Sequence, residues 1–317
     1  MSAHAPIRQR DQIGMELWIP ITVIAALSQT IRTAIQRQMK RPIGDQGAAA
    51  IRFLYAVPFA WSGLLFVSYF YQYSFADVAT INTEFAIWVT VGGIAQILFT
   101  IFLIKLFSYK NFLIGIAFSK TEVIIAAAIE ALINSKLMSF QFGLAIFVGT
   151  ISVVLLSIRG NFFSYRDLAS SLKTESTYIG LISGLSLAIS VIAFRSAINS
   201  LPEADFLIRA TTTAAIGVTG QSVIMLIYLR LFHPSQLNAA LRLWRPGLAT
   251  GIFAAITTAS WFSAFALHSA APVRAVGQIE LIFSMAITIL IFRQRLSRIE
   301  ILGTSLLLCS ILLVIFD

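Results

Sequence analysis

Ten stretches of roughly twenty apolar residues follow one another along this chain, and most connections between them are too short to hold a domain. An α-helix rises about 1.5 Å per residue, so about twenty residues cross the ~30 Å hydrocarbon core of a bilayer. The stretches fall at about 16–36, 48–70, 85–107, 111–133, 140–158, 177–199, 205–232, 247–268, 272–292 and 299–316. With 58% hydrophobic residues, 12% charged residues and a mean hydropathy of +0.85, the 317-residue chain is too apolar for a soluble domain. It is expected to be an all-α polytopic membrane protein of ten transmembrane helices.

The formal net charge of +9 forms no extended basic patch. Its lysines and arginines lie mostly between apolar stretches, where lipid headgroups account for them, so no nucleic-acid partner is expected. The single cysteine, Cys309, lies within the last stretch and excludes an internal disulfide or a multi-cysteine metal site. Residues 1–16 carry Arg8, Arg10, Asp11 and Glu16 and lack the pattern of a cleaved signal, so the first span is expected to remain. His4, His233 and His268 lie in a tail or at loops, and no HExxH, paired-aspartate or phosphate-loop motif occurs. Neither an enzyme nor a cofactor is expected from that inventory.

Charged residues deep in an apolar stretch are the next constraint. Lys120 and Glu122 lie near the middle of 111–133, close to the expected midplane. An ionised side chain there costs on the order of 2.5–3.5 kcal/mol, so it faces a bundle interior or a watery cavity. Glu280 occupies the same place 158 positions later, Arg32-Thr33-Ala34-Ile35-Gln36 is echoed by Arg195-Ser196-Ala197-Ile198-Asn199 after 163, and Ile51-Arg52 by Ile208-Arg209 after 157. The common order of these anchors indicates duplication: a first half at 1–158, a polar linker at 159–176 and a second half at 177–317. Five crossings per half make the halves inverted. Charges agree, since the connections expected on one face, counted with Lys105 and Arg230 at the span ends, carry fourteen basic residues and the remaining connections and tails, counted with Arg274, four. The positive-inside rule then puts both termini outside the cytoplasm of a cell (inner) membrane.

Those residues give the chain a resemblance to the ten-helix, EamA-like branch of the drug/metabolite transporter superfamily. The likeness rests on the arginine early in the second helix of each half, Arg52 and Arg209. It rests also on the end of each half, where Ser135-Lys136-Leu137 to Gly143 and Gln294-Arg295-Leu296-Ser297 to Gly303 are similar to that family's hairpin and following glycine. The chain departs at Ser135 and Gln294, where the family has glutamate, and has the proline of the fourth helix only as Pro272 in the second half. The resemblance implies two inverted five-helix repeats and secondary transport of a small molecule without ATP.

Lys120, Glu122 and Glu280 are the expected substrate- and proton-binding residues. Two positions apart on one helix, Lys120 and Glu122 face roughly opposite ways and each needs another partner. Burial favours a neutral carboxyl group and a nearby cation favours the ionised one, the opposed pulls that proton coupling requires. Arg32, Arg52, Arg195 and Arg209, about five residues inside their spans, are candidates for gating or substrate binding, with snorkelling to the headgroups as the alternative. Glu130 has no acidic counterpart in the second half, and its position near a helix end makes it a lesser candidate. If the arginines stay inside, the interior is net positive and suits an anionic or zwitterionic substrate. The expected function is export of a small metabolite or amino-acid-like compound by a monomer or homodimer in the lipid bilayer; uptake or exchange, or ligand sensing without transport, are the alternatives.

Overall fold

The computed structural model describes residues 7–72, 82–133, 139–157, 174–201, 205–268, 273 and 276–315. The helices with defined ends are α1 (Ile7–Ile43), α2 (Asp45–Leu54), α3 (Val57–Tyr71), α4 (Thr83–Leu106), α5 (Phe112–Ser119), α6 (Glu122–Ile133), α7 (Phe140–Ser157), α8 (Glu175–Ser200), α9 (Phe206–Phe232), α10 (Pro234–Arg242), α11 (Trp244–Leu267), α12 (Ile279–Leu290) and α13 (Arg298–Ile315). No strand occurs among the described residues. In lipid every backbone polar group must be paired within the protein, and helices meet that demand locally. Six segments are long and apolar enough to cross a membrane: Leu17–Ile43, Asp45–Tyr71, Thr83–Leu106, Glu175–Ser200, Phe206–Phe232 and Trp244–Leu267. Large apolar side chains such as Phe66, Tyr69, Phe140 and Leu231 cover the outside, as a lipid-embedded surface requires.

Local chemistry moves several boundaries from their expected places. The stretch 37–43, read as a basic loop, continues α1, and the reversal into α2 takes the single residue Gly44. Its φ of 89° lies in the left-handed region, which glycine enters without a Cβ penalty. Gln36 donates to the Ala48 carbonyl at 2.8 Å, and Gln236 accepts from the Gly47 amide at 2.9 Å, so the reversal is clamped from two sides. Gln236 belongs to α10, a short amphipathic helix in what reads as a polar loop between the seventh and eighth apolar stretches. The second stretch is interrupted at Tyr55–Ala56, with Pro58 in the first turn of α3, where its missing amide costs nothing. At the start of α13, Ser297 and Glu300 form a reciprocal capping box at 2.8 and 3.2 Å. Most of the linker 159–176, together with Ser135 and Pro272, lies outside the described residues.

The closest helix pairs are α4 with α8, α1 with α11, and α7 with α13; α9 packs on α3 and α11. The main apolar cluster draws Phe99, Ile104, Phe112 and Phe118 from the first half and Ile179, Leu281 and Leu307 from the second. The two halves therefore share one core. Gly180 and Gly184 of α8 permit close approach to the stretch between α5 and α6. A Cβ on Gly184 would lie 2.1 Å from Thr121 Oγ1. Gly220 of α9, by contrast, has open space around it.

Gly184→Ala should therefore cost about 1–3 kcal/mol through overpacking. Thermal unfolding in detergent should register the loss, and much of it should disappear when Thr121→Ala removes the obstructing hydroxyl.

Candidate functional site

The fourth apolar stretch is expected as one continuous helix but divides in the middle. α5 ends at Ser119, Lys120 and Thr121 form a turn, and α6 begins at Glu122. The amides of Lys120, Thr121 and Val123 reach back only three residues, to Ala117, Phe118 and Lys120, at 3.0–3.2 Å. No glycine or proline causes this. Instead Ser119 Oγ donates to the Ile116 carbonyl at 2.6 Å and Thr121 Oγ1 to the Phe118 carbonyl at 2.8 Å, so hydroxyls compete for acceptors a continuous helix would use. A matching turn at Gln278, where the Leu281 amide bonds the Gln278 carbonyl at 2.9 Å, precedes α12.

These turns place Glu122 and Glu280 in the first turns of α6 and α12. Unpaired amides and the positive end of the helix dipole favour a carboxylate there. That favourable field explains how two acidic side chains, 2% and 0% exposed, are housed in an apolar interior.

From Glu280 a network crosses the molecule. Lys120 Nζ donates to Glu280 Oε2 in a short, fully buried ion pair that joins the first half of the chain to the second. Gln29 Nε2 donates to both Glu280 oxygens at 2.9 Å, and Trp261 Nε1 donates to Gln29 Oε1 at 3.0 Å. An indole can only donate, so Trp261 fixes which end of the Gln29 amide faces the carboxylate. Four elements, α11, α1, α12 and the turn after α5, are thereby tied to one carboxylate.

Beside this network lies a narrow, partly open cavity of about 50 Å³. Gln29, Arg32, Arg52, Lys120 and Glu122 form its polar wall, and Trp261, Phe262, Phe265, Phe194 and Phe99 its aromatic one. Arg32 follows Gln29 by one helical turn and is 1% exposed, with no hydrogen-bond partner at Nε or Nη1. Arg52 donates from Nη1 to Thr100 Oγ1 at 3.0 Å and lies 4.8 Å from the Phe53 ring centre, leaving its Nε unpartnered. Burying a cation without a hydrogen-bond partner is costly, so this wall holds unused donors that a negatively charged group would satisfy.

Of the seven candidate residues, the structure gathers Arg32, Arg52, Lys120, Glu122 and Glu280 at the cavity. Arg195 and Arg209 are half-exposed and do not line it. The difference follows from helix ends. Because α1 runs to Ile43, Arg32 is eleven residues from its end, whereas Arg195 and Arg209 stay near the ends of α8 and α9. The Glu130 side chain lies outside the described residues. Gln29, which the charged residues overshadow, is the missed participant. Its signal is the polar series Gln29, Arg32 and Gln36, spaced three and four apart on one face of an otherwise apolar helix.

No family model matches the chain, and no curated protein matches it. Among the solved structures that match, one protein crystal structure has a TM-score of 0.58 at 12% identity, over 93% of this chain and 95% of that one. At that identity the likeness is one of fold alone.

Lys120→Met should destabilise the protein by about 3–5 kcal/mol, because it strands the buried Glu280 carboxylate. The double variant Lys120→Met, Glu280→Gln should recover most of that loss in thermal unfolding. Equal instability in single and double variants would count against the pair.

Proposed function

We propose that this chain is a secondary transporter, a remote EamA-like member of the drug/metabolite transporter superfamily. In this reading it exports a small anionic or zwitterionic metabolite by alternating access. The observation that carries the reading is the Lys120–Glu280 pair, made between the two halves of the chain beside a cavity whose Arg32 lacks hydrogen-bond partners at two nitrogens. A pair that spans two moving units can be exchanged for substrate contacts as the units rock.

The architecture proposed is ten crossings in two inverted repeats. Its support is an exchange of packing partners: α4 on α8 is matched by α11 on α1, and α6 on α8 by α12 on α1, while α7–α13, α5–α12 and α3–α9 pair corresponding helices. Helices interrupted near their middle, with acidic residues at the restarted ends, are a recurring device for ion and substrate sites in transporters. The termini lie outside the cytoplasm by the loop-charge bias.

Three cations, Arg32, Arg52 and Lys120, meet two carboxylates, Glu122 and Glu280, so the site carries one formal positive charge in excess. A substrate carboxylate compensates it. A proton or a substrate ammonium arriving at Glu280 releases Lys120 to bind that negative group. Because proton and ammonium compete for one carboxylate, inward proton movement can drive outward substrate movement.

Counterflow in proteoliposomes tests transport directly: labelled substrate should accumulate against unlabelled substrate, Arg32→Gln should reduce the rate at least tenfold, and binding without counterflow would reject the reading. Glu280→Gln should flatten the pH dependence of transport before it abolishes binding; wild-type pH dependence in the Glu122→Gln, Glu280→Gln protein would reject the coupling role. For topology, cysteines at positions 82 and 171 should be labelled from opposite sides of the membrane. A reporter that works only in the cytoplasm should be inactive when fused to the C-terminus.

A further inference from the structure

A second space lies against the central cavity and differs from it in kind. It is an apolar cleft of about 230 Å³ between α3, α9 and α11. Its walls are mostly short side chains, among them Ala60, Gly63, Ala214 and Ala255, and its rim carries Ile252 and Ile256, 40% and 39% exposed on the surface that faces lipid. Gly63 has no atom within 4 Å of where a Cβ would stand, so the cleft is open there.

The two spaces share a wall. Thr258 lines both of them. On the opposite wall Arg52 lines the central cavity, and Ala56, four residues on across the interruption at Tyr55–Ala56, lines the cleft. Unpartnered guanidinium nitrogens and a slot of hydrocarbon character therefore lie on either side of Thr258. An occupant of both spaces needs a negative head and an apolar tail.

We propose that the ligand is an amphiphilic anion, a carboxylate on a hydrocarbon chain, with its head at Arg32 and Arg52 and its tail in the α3–α9–α11 cleft. This deepens the transport reading and rests on it for the identity of the central site. Neither wall serves a neutral or cationic amphiphile: the head would leave the arginines unpaired, or repel them. A small polar anion would leave the cleft unused. The cleft's lipid-facing rim also gives the tail a way in from the membrane, so that the head alone must be desolvated by the protein.

The test uses the full chain in lipid nanodiscs and dodecanoate bearing a photoreactive group on its chain. Labelling should map to α3 and α11. Unlabelled dodecanoate should displace the probe at least tenfold better than butyrate, and neither dodecanol nor dodecyltrimethylammonium should displace it. Arg32→Gln should reduce labelling at least tenfold. Gly63→Phe, or Ala255→Leu if the first folds poorly, should do the same while leaving butyrate binding, followed by Trp fluorescence, unchanged. Equal displacement by dodecanol would mean a bilayer lipid chain rests in the cleft and would overturn the proposal, as would unaltered labelling of the Arg32 variant or of a folded cleft variant. The two readings fail separately. Specific labelling without counterflow rejects transport and keeps this site, whereas counterflow of short anions without tail labelling keeps transport and rejects the amphiphile.

Discussion

The ion pair between Lys120 and Glu280 is the constraint on which the interior of this protein depends. Two charges removed from water gain from each other only when their geometry is good and their remaining hydrogen-bonding capacity is used. Here Gln29 takes up both carboxylate oxygens, Trp261 orients Gln29, and the start of α12 supplies a favourable field. Each of these supports comes from a different part of the chain. Folding of the two halves is therefore coupled at a single carboxylate as well as through their shared apolar core.

The same interaction accounts for the irregular backbone. A continuous helix through 111–133 would present Lys120 and Glu122 on opposite faces and give neither an amide-rich environment. Interrupting it after Ser119 turns Glu122 into the first residue of a new helix and leaves Lys120 in the turn that reaches across to Glu280. The Ser119 and Thr121 hydroxyls stabilise the interruption locally, and Gly184 allows α8 to cover it without steric conflict. Backbone, packing and charge thus favour the same arrangement.

Much of this was legible in the residues alone, and the parts that were not have physical reasons. Apolar length announces membrane helices because lipid offers no alternative partner to the backbone. The depth of Lys120, Glu122 and Glu280 marks them as interior, and the argument that Lys120 needs a partner other than Glu122 leads to the observed pair. Helix ends were less legible. Arg37, Lys40 and Arg41 read as loop because charge and loop usually coincide, yet Arg37 remains in α1 by stacking 4.1 Å from the Phe292 ring centre and donating to Gln294 at 3.2 Å. That extension separates the fate of Arg32 from that of Arg195, which its sequence context could not do. Gln29 escaped notice because a neutral amide carries no depth penalty comparable to a charge.

A carboxylate buried between the faces of a membrane is also a point in an electric field. Any ion that enters from one side and stops at Glu280 has fallen through part of the transmembrane voltage, worth about 2.3 kcal/mol per 100 mV for a full crossing. Lys120 arrives there along the protein and pays no such toll, whereas a proton or an ammonium group arriving from solution does. In the proposed transport cycle the competition for Glu280 is weighted by the polarity of the membrane: a negative interior favours cations entering from outside and opposes those entering from within. In that cycle the buried pair is itself the voltage-sensitive element.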